Sequence, residues 1–232
     1  MVRRTKSDAA ATRDALLDAA LRLFRDRGVA QTSLSEVAAA AGVTRGAVYW
    51  HFRDKADLFD ALCGRVTLPM EAMLAGASEV RQADPLGALR ALAVHGLTRL
   101  ADDARTQAVV DVVFRKCDLT AETAGVVKRQ RSSDSGCRAY VERLLRQAVA
   151  RGQLPRATDT RLAAEMMNAF MIGVMQQWVE NPGAYDLSRA APSMIDSMLA
   201  GLAACPPRRT RETSSRARIG VGPKPRRASP GM

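Results

Sequence analysis

The 232-residue sequence predicts an all-α fold of about nine helices, and three observations carry that prediction. Alanine, leucine, arginine and methionine are prominent, all good helix formers. No run shows the alternation of β-branched and polar residues that marks a half-buried strand. Apolar residues instead recur at three- and four-residue spacing between recognisable caps and stops. At 47% hydrophobic residues the chain can bury a core, which excludes wholesale disorder.

Taken in order, the first helix is expected from about Asp8 to Arg27. Ala9, Leu16, Leu17, Ala20, Leu23 and Phe24 form its apolar face, and Gly28 supplies the left-handed backbone that ends it. Ser33 and Glu36 make an S-x-x-E capping box that starts a second helix, stopped by Gly42. Thr44 caps a third that ends near Phe52, and Asp54 caps a fourth that reaches about Gly76 with a kink at Pro69. Asp84-Pro85 opens a fifth, running to about Leu100, because an aspartate cap followed by proline suits a first turn. Residues 103–117 and 121–151 form a short and a long helix, the latter closed by Gly152 and Pro155. Residues 159–180 and 188–204 complete the set, with Asn181-Pro182 between them. Residues 206–232 change character: they hold five of the ten prolines, no aromatic residue and no periodic apolar face, and read as a disordered basic tail.

Charge is unevenly spread. Residues 1–55 carry ten Lys and Arg against six Asp and Glu, residues 56–205 carry 17 of each, and the tail carries eight against one. The net +11 therefore sits at the two ends, where a polyanionic partner would meet it. The four cysteines are scattered without a C-x-x-C pair, and neither histidine stands at metal-ligand spacing from one of them, so reduced thiols and no metal are expected. No signal peptide is legible, and no stretch approaches the ~20 apolar residues of a membrane span. Paired carboxylates, an activated nucleophile and a phosphate loop are all missing, which leaves no case for an enzyme and none for a cofactor.

Leu34 to Phe52 fits a helix-turn-helix unit. Val37 and Ala41 face the seam, Ala38 is small where the helices cross, Gly42 permits the turn and Val43 plugs its corner. Val48 and Phe52, four apart, anchor the next helix, which leaves Arg45, Gly46, Tyr49, Trp50 and His51 on or near its exposed side. Arg45 suits a guanine edge or a phosphate, Gly46 allows close approach, and Tyr49 and His51 can donate to phosphate oxygens. Lys55 opens the next helix with a charge for the same backbone. The candidate DNA contacts are Ser33, Thr44, Arg45, Gly46, Tyr49, Trp50, His51 and Lys55.

The run TSLSEVAAAAGVTRGAVYWHFRDKADLF closely resembles the DNA-binding domain of the TetR family of transcriptional repressors. RRTKSDAAATRDALLDAALRLF, DPLGALRAL, VVFRKCD, ARGQLP and NAFMIGVMQQWVENPGAYDL resemble the branch whose members repress multidrug efflux pumps, so that the likeness covers residues 3–205. It implies an N-terminal arm and DNA-binding domain in 1–54, with the motif at 33–52, and a ligand-binding and dimerisation domain in 55–205. It also implies a homodimer through the last two helices. Independently, Leu162, Met166, Met167, Phe170, Met171, Val174, Met175 and Trp178 make a stripe too wide for one neighbour, to which Met194, Ile195, Met198, Leu199 and Leu202 add a second face. The resemblance further implies an effector cavity. Gln130 stands at a polar pocket position of relatives, Thr67 where some carry an acidic residue, and Cys63 where some carry tryptophan. Thr67, Met70, Phe114, Gln130, Met167 and Met171 are the candidate effector contacts.

The expectation is a cytoplasmic, nucleoid-associated homodimer on a palindromic operator, released by a small hydrophobic, drug-like effector. A regulator answering to a metabolic or lipid effector stays open, as does a basic architectural protein without sequence preference, whose affinity would be governed by salt alone.

Overall fold

A computed structural model describes residues 6–76, 83–117 and 124–208. Nine helices occur among the described residues: α1 (Lys6–Arg27), α2 (Leu34–Ala40), α3 (Arg45–His51), α4 (Lys55–Gly76), α5 (Pro85–Asp102), α6 (Ala104–Arg115), α7 (Ala124–Ala150), α8 (Thr160–Glu180) and α9 (Leu187–Ala204). They match the sequence expectation closely, because most boundaries are written in local chemistry. Asp84, Asp103, Asp159 and Asp186 each fold a carboxylate back onto amide groups of the helix they precede. Gly87 is part of the first such cap, since a Cβ there would fall 2.1 Å from Asp84 Oδ2. The Gly87 N–H, then the Gln153 side chain, hold the Asp84 carboxyl below its ordinary value.

α1 begins at Lys6, two residues ahead of the sequence expectation. The helix that was expected from 121 is described from Ala124, residues 118–123 lying outside the described part. The tail also departs from expectation at its root. The Asp159 N–H donates to the Pro207 carbonyl at 2.7 Å, and Thr158 and Arg208 form an isolated antiparallel bridge. Residues 206–208 are therefore fixed against the start of α8, because an amide entering a helix there needs an acceptor. Residues 209–232 lie outside the described part.

Two hydrophobic cores form. One gathers Leu16, Leu17, Phe24, Val37, Val48, Phe52, Leu58 and Leu62, and the other runs from Leu89 of α5 through α7 and α8 to Leu202 of α9. Among the described residues no helix is long and apolar enough to cross a membrane.

Candidate nucleic-acid interface

The second and third helices are assembled by their caps. The Ser33 hydroxyl accepts from Glu36 N at 3.2 Å, while Ser33 N–H and hydroxyl both donate to Glu36 Oε2 at 2.8 Å. The Ser33 N–H, then its hydroxyl, hold the Glu36 carboxyl below its ordinary value. At the other end of α2, Val43 N–H reaches Ala38 O at 3.0 Å and Gly42 N–H reaches Ala39 O at 3.1 Å. This is the Schellman arrangement, and it puts Gly42 at φ +69°, where a Cβ is strained. The Thr44 hydroxyl then accepts from Ala47 N at 3.3 Å and starts α3.

With both ends set, one face of α3 is fixed inward. Val48 and Phe52 are fully buried, Val37 and Ala38 meet them from α2, and Ala41 and Val43 pack on the same core. The other face is fixed outward. Arg45 and Gly46 are exposed, as are Tyr49 at 48% and Trp50 at 74%. Arg45 lies over the Tyr49 ring at 5.7 Å, so its guanidinium is steered along the outer face. Trp50 meets His51 edge-on at 4.6 Å between ring centroids. A Cβ at Gly46 would meet nothing closer than Thr44 Oγ1 at 3.9 Å, and its backbone is ordinary helix. Glycine in a helix costs up to ~1 kcal/mol relative to alanine. Nothing in the described fold demands glycine here.

The structure thus brings Thr44, Arg45, Gly46, Tyr49, Trp50 and His51 together around one short helix. Ser33 stands apart at the start of α2, with its hydroxyl engaged in the capping box. Lys55 is engaged within the domain. Its ammonium donates to the carbonyls of Val29, Ala30 and Thr32 at 2.8, 2.9 and 3.0 Å, so its three donors close the turn between α1 and α2. An ammonium held this way positions the domain and has no donor left over for a phosphate.

Sequence reading also missed a charged joint behind the interface. Arg65 of α4, only 14% exposed, donates Nη1 to Asp18 at 2.5 Å and Nη2 to Asp14 at 2.7 Å. Arg105 of α6 reaches the same Asp18 at 3.4 Å. A crevice of about 360 Å³ lies beside it, lined by Arg65, Val66, Arg99, Asp103, Arg105 and Thr106. Of the candidate effector contacts whose side chains are described, Phe114, Met167 and Met171, none lines that crevice. Met167 is buried in the second core with Met171 packed against it, and Phe114 is half-buried on α6. Thr67 and Met70 lie in α4 and Gln130 in α7, their side chains outside the described part.

Comparison with known proteins bears directly on this arrangement. Residues 16–62 match the tetR family of bacterial regulatory proteins, and residues 84–203 match the C-terminal region of MAATS-type transcriptional repressors. The chain is 36% identical over 221 residues to the HTH-type transcriptional regulator AcrR of Shigella flexneri, across 92% of this chain and all of that one. Its fold is similar to NalD, the secondary repressor of the MexAB-OprM multidrug efflux pump in Pseudomonas aeruginosa (TM-score 0.75, 31% identity, 84% of this chain and 96% of that chain). It is also similar to SmeT, repressor of the Stenotrophomonas maltophilia pump SmeDEF, in a complex with triclosan (TM-score 0.73, 36% identity, 82% and 91%). A helix-turn-helix with this outward face, continued into matching C-terminal helices, makes the chain a member of the TetR family of bacterial transcriptional regulators.

Proposed function

We propose that this protein is a cytoplasmic homodimeric repressor that occupies a palindromic operator of a multidrug efflux operon and leaves it when a small apolar effector binds the C-terminal domain. The outward face of α3 carries this reading. Arg45 stands at the start of a capped helix, Gly46 clears its approach, and Tyr49 and Trp50 project above a seam that cannot rotate. Similarity to NalD and SmeT supports the efflux target. Thr67, Met70, Phe114, Gln130, Met167 and Met171 are the proposed effector contacts. Leu162 at 48% and Met166 at 50% exposure, one turn apart on α8, supply the face for a second copy.

Release requires an effector that prefers the off-DNA conformation, since equal affinity for both states shifts nothing. Footprinting on the DNA upstream of the protein's own gene tests the reading. The expected result is two protected half-sites about 34–36 Å apart, lost when triclosan or another apolar drug is added. Salt-sensitive binding without a footprint would overturn the operator reading. Drug binding that leaves DNA affinity intact would overturn the effector reading.

A further inference from the structure

Donors and acceptors are evenly matched at one exposed ion pair of this protein and unevenly at another cluster. Arg90 of α5 donates Nε to one oxygen of Asp196 and Nη2 to the other, so fork and carboxylate are spent on each other. The cluster around Arg65 is different. Arg65, Arg99 and Arg105 meet at one crevice of about 360 Å³, which Val66, Asp103 and Thr106 complete. Each guanidinium brings several N–H donors and no acceptor.

The carboxylates at this place are already taken. Asp103 accepts from the amides of Arg105 and Thr106, from the Thr106 hydroxyl and from Arg99 Nη2, which commits it to the cap of α6. Asp18 accepts from Arg65 Nη1, and Asp14 accepts from Arg65 Nη2 with its side chain and its carbonyl. Arg105 receives the smallest share. Its Nη2 stands 3.4 Å from Asp18, and its guanidinium makes no hydrogen bond among the described residues. Arg99 spends only Nη2, on Asp103 at 3.1 Å.

The crevice therefore has charged donors in surplus and acceptors in deficit. The complement of such a surface is an oxyanion. Its volume lies at the lower end of small-molecule sites, about 300–1,000 Å³, so the guest is compact. Two forks on different helices, Arg99 on α5 and Arg105 on α6, favour a tetrahedral group over a flat one. Phosphate presents three acceptor oxygens in different directions, whereas a carboxylate matches a single fork.

We propose that this crevice binds a phosphate group, as the inorganic ion or on a small ester, through Arg99 and Arg105, with Arg65 adding charge. The site is distinct from the outward face of α3, none of whose residues lines it.

Isothermal titration of the full-length protein with inorganic phosphate, at an ionic strength held constant with sodium chloride, tests this. The wild type should take up phosphate saturably. Arg105→Gln should weaken that uptake by about tenfold or more, as expected for a lost charged hydrogen bond. Arg105→Lys, which keeps the charge without the fork, should weaken it less. Arg45→Ala should bind phosphate as the wild type does, and acetate should bind at least about tenfold more weakly than phosphate. Glycerol phosphate separates the two sources: tighter binding than phosphate assigns a small ester, and equal or weaker binding assigns the free ion. No saturable uptake, or uptake unchanged in Arg105→Gln, would overturn the site. Uptake lost in Arg45→Ala would move the ion to α3 and also overturn it. Acetate binding as tightly as phosphate would overturn the choice of phosphate. Neither operator nor effector enters these measurements, so the site can fail while the proposed function stands.

Discussion

α3 and α8 both hold large apolar side chains out in solvent, yet they call for different partners. On α3 these are Tyr49 and Trp50, rings with a polar tip, beside the guanidinium of Arg45 and a capped helix start. On α8 they are Leu162 and Met166, aliphatic side chains with no polar tip, four residues apart on one stripe. Paired large side chains in solvent mark each surface as a candidate contact. The proposed function assigns a hydrated polyanion to the first and a matching apolar face to the second. The largest effect should come from the second surface. Leu162→Glu with Met166→Glu should give a folded monomer by sedimentation, and operator affinity should fall by about 10²–10⁴ once the two half-sites no longer act together. A dimer surviving both changes would remove α8 from the interface.

Within the DNA-binding end, Arg45 and Lys55 make a second contrast. Both are cations near the same surface, but Arg45 is exposed whereas the Lys55 ammonium already has three carbonyl partners. Arg45→Ala should cost about 1–3 kcal/mol of discrimination between operator and scrambled DNA, read by competition binding, while leaving thermal stability unchanged. Lys55→Met should do the reverse. Losing charged hydrogen bonds of this kind costs about 1.5–3 kcal/mol, which should appear as a lower denaturation midpoint. The slope of log affinity against log salt separates the roles: it should drop by about one for a lost phosphate contact and stay unchanged for Lys55.

That contrast also marks where sequence reading stops. The capping box at Ser33 and Glu36, the turn at Gly42 and the caps at Thr44, Asp84 and Asp159 all depend on residues within a few positions of one another. Their chemistry is therefore legible in the chain. Lys55 meets carbonyls 23 to 26 residues away, and Arg65 meets Asp18 and Asp14 at 47 and 51. Nothing local distinguishes such a cation from one waiting for phosphate. The amphipathic pattern of α6 is equally silent, because its valines look the same whichever core they enter. The methionines behave likewise: Met167 is buried, and its helical spacing reads the same whether it fills a core or lines a cavity.

Asp103, at the junction of α5 and α6, offers the smallest and most specific test. Its carboxyl is held below its ordinary value first by the Thr106 hydroxyl, then by Arg99 and the backbone amides of Arg105 and Thr106. A carboxyl depressed in the folded state stabilises that state above its unfolded value, about 3.9, and the contribution is lost as pH falls through the folded value. Between pH 5 and 2 the wild type should therefore lose more thermal stability than Asp103→Asn, which has no such charge to titrate. At neutral pH the ordering reverses in size, because asparagine still caps α6 and should cost only a fraction of the ~1 kcal/mol expected for Asp103→Ala. If the asparagine variant followed the wild type down the acid limb, the charge on Asp103 would be incidental. The meeting of α5 and α6 would then rest on the shape of its cap alone.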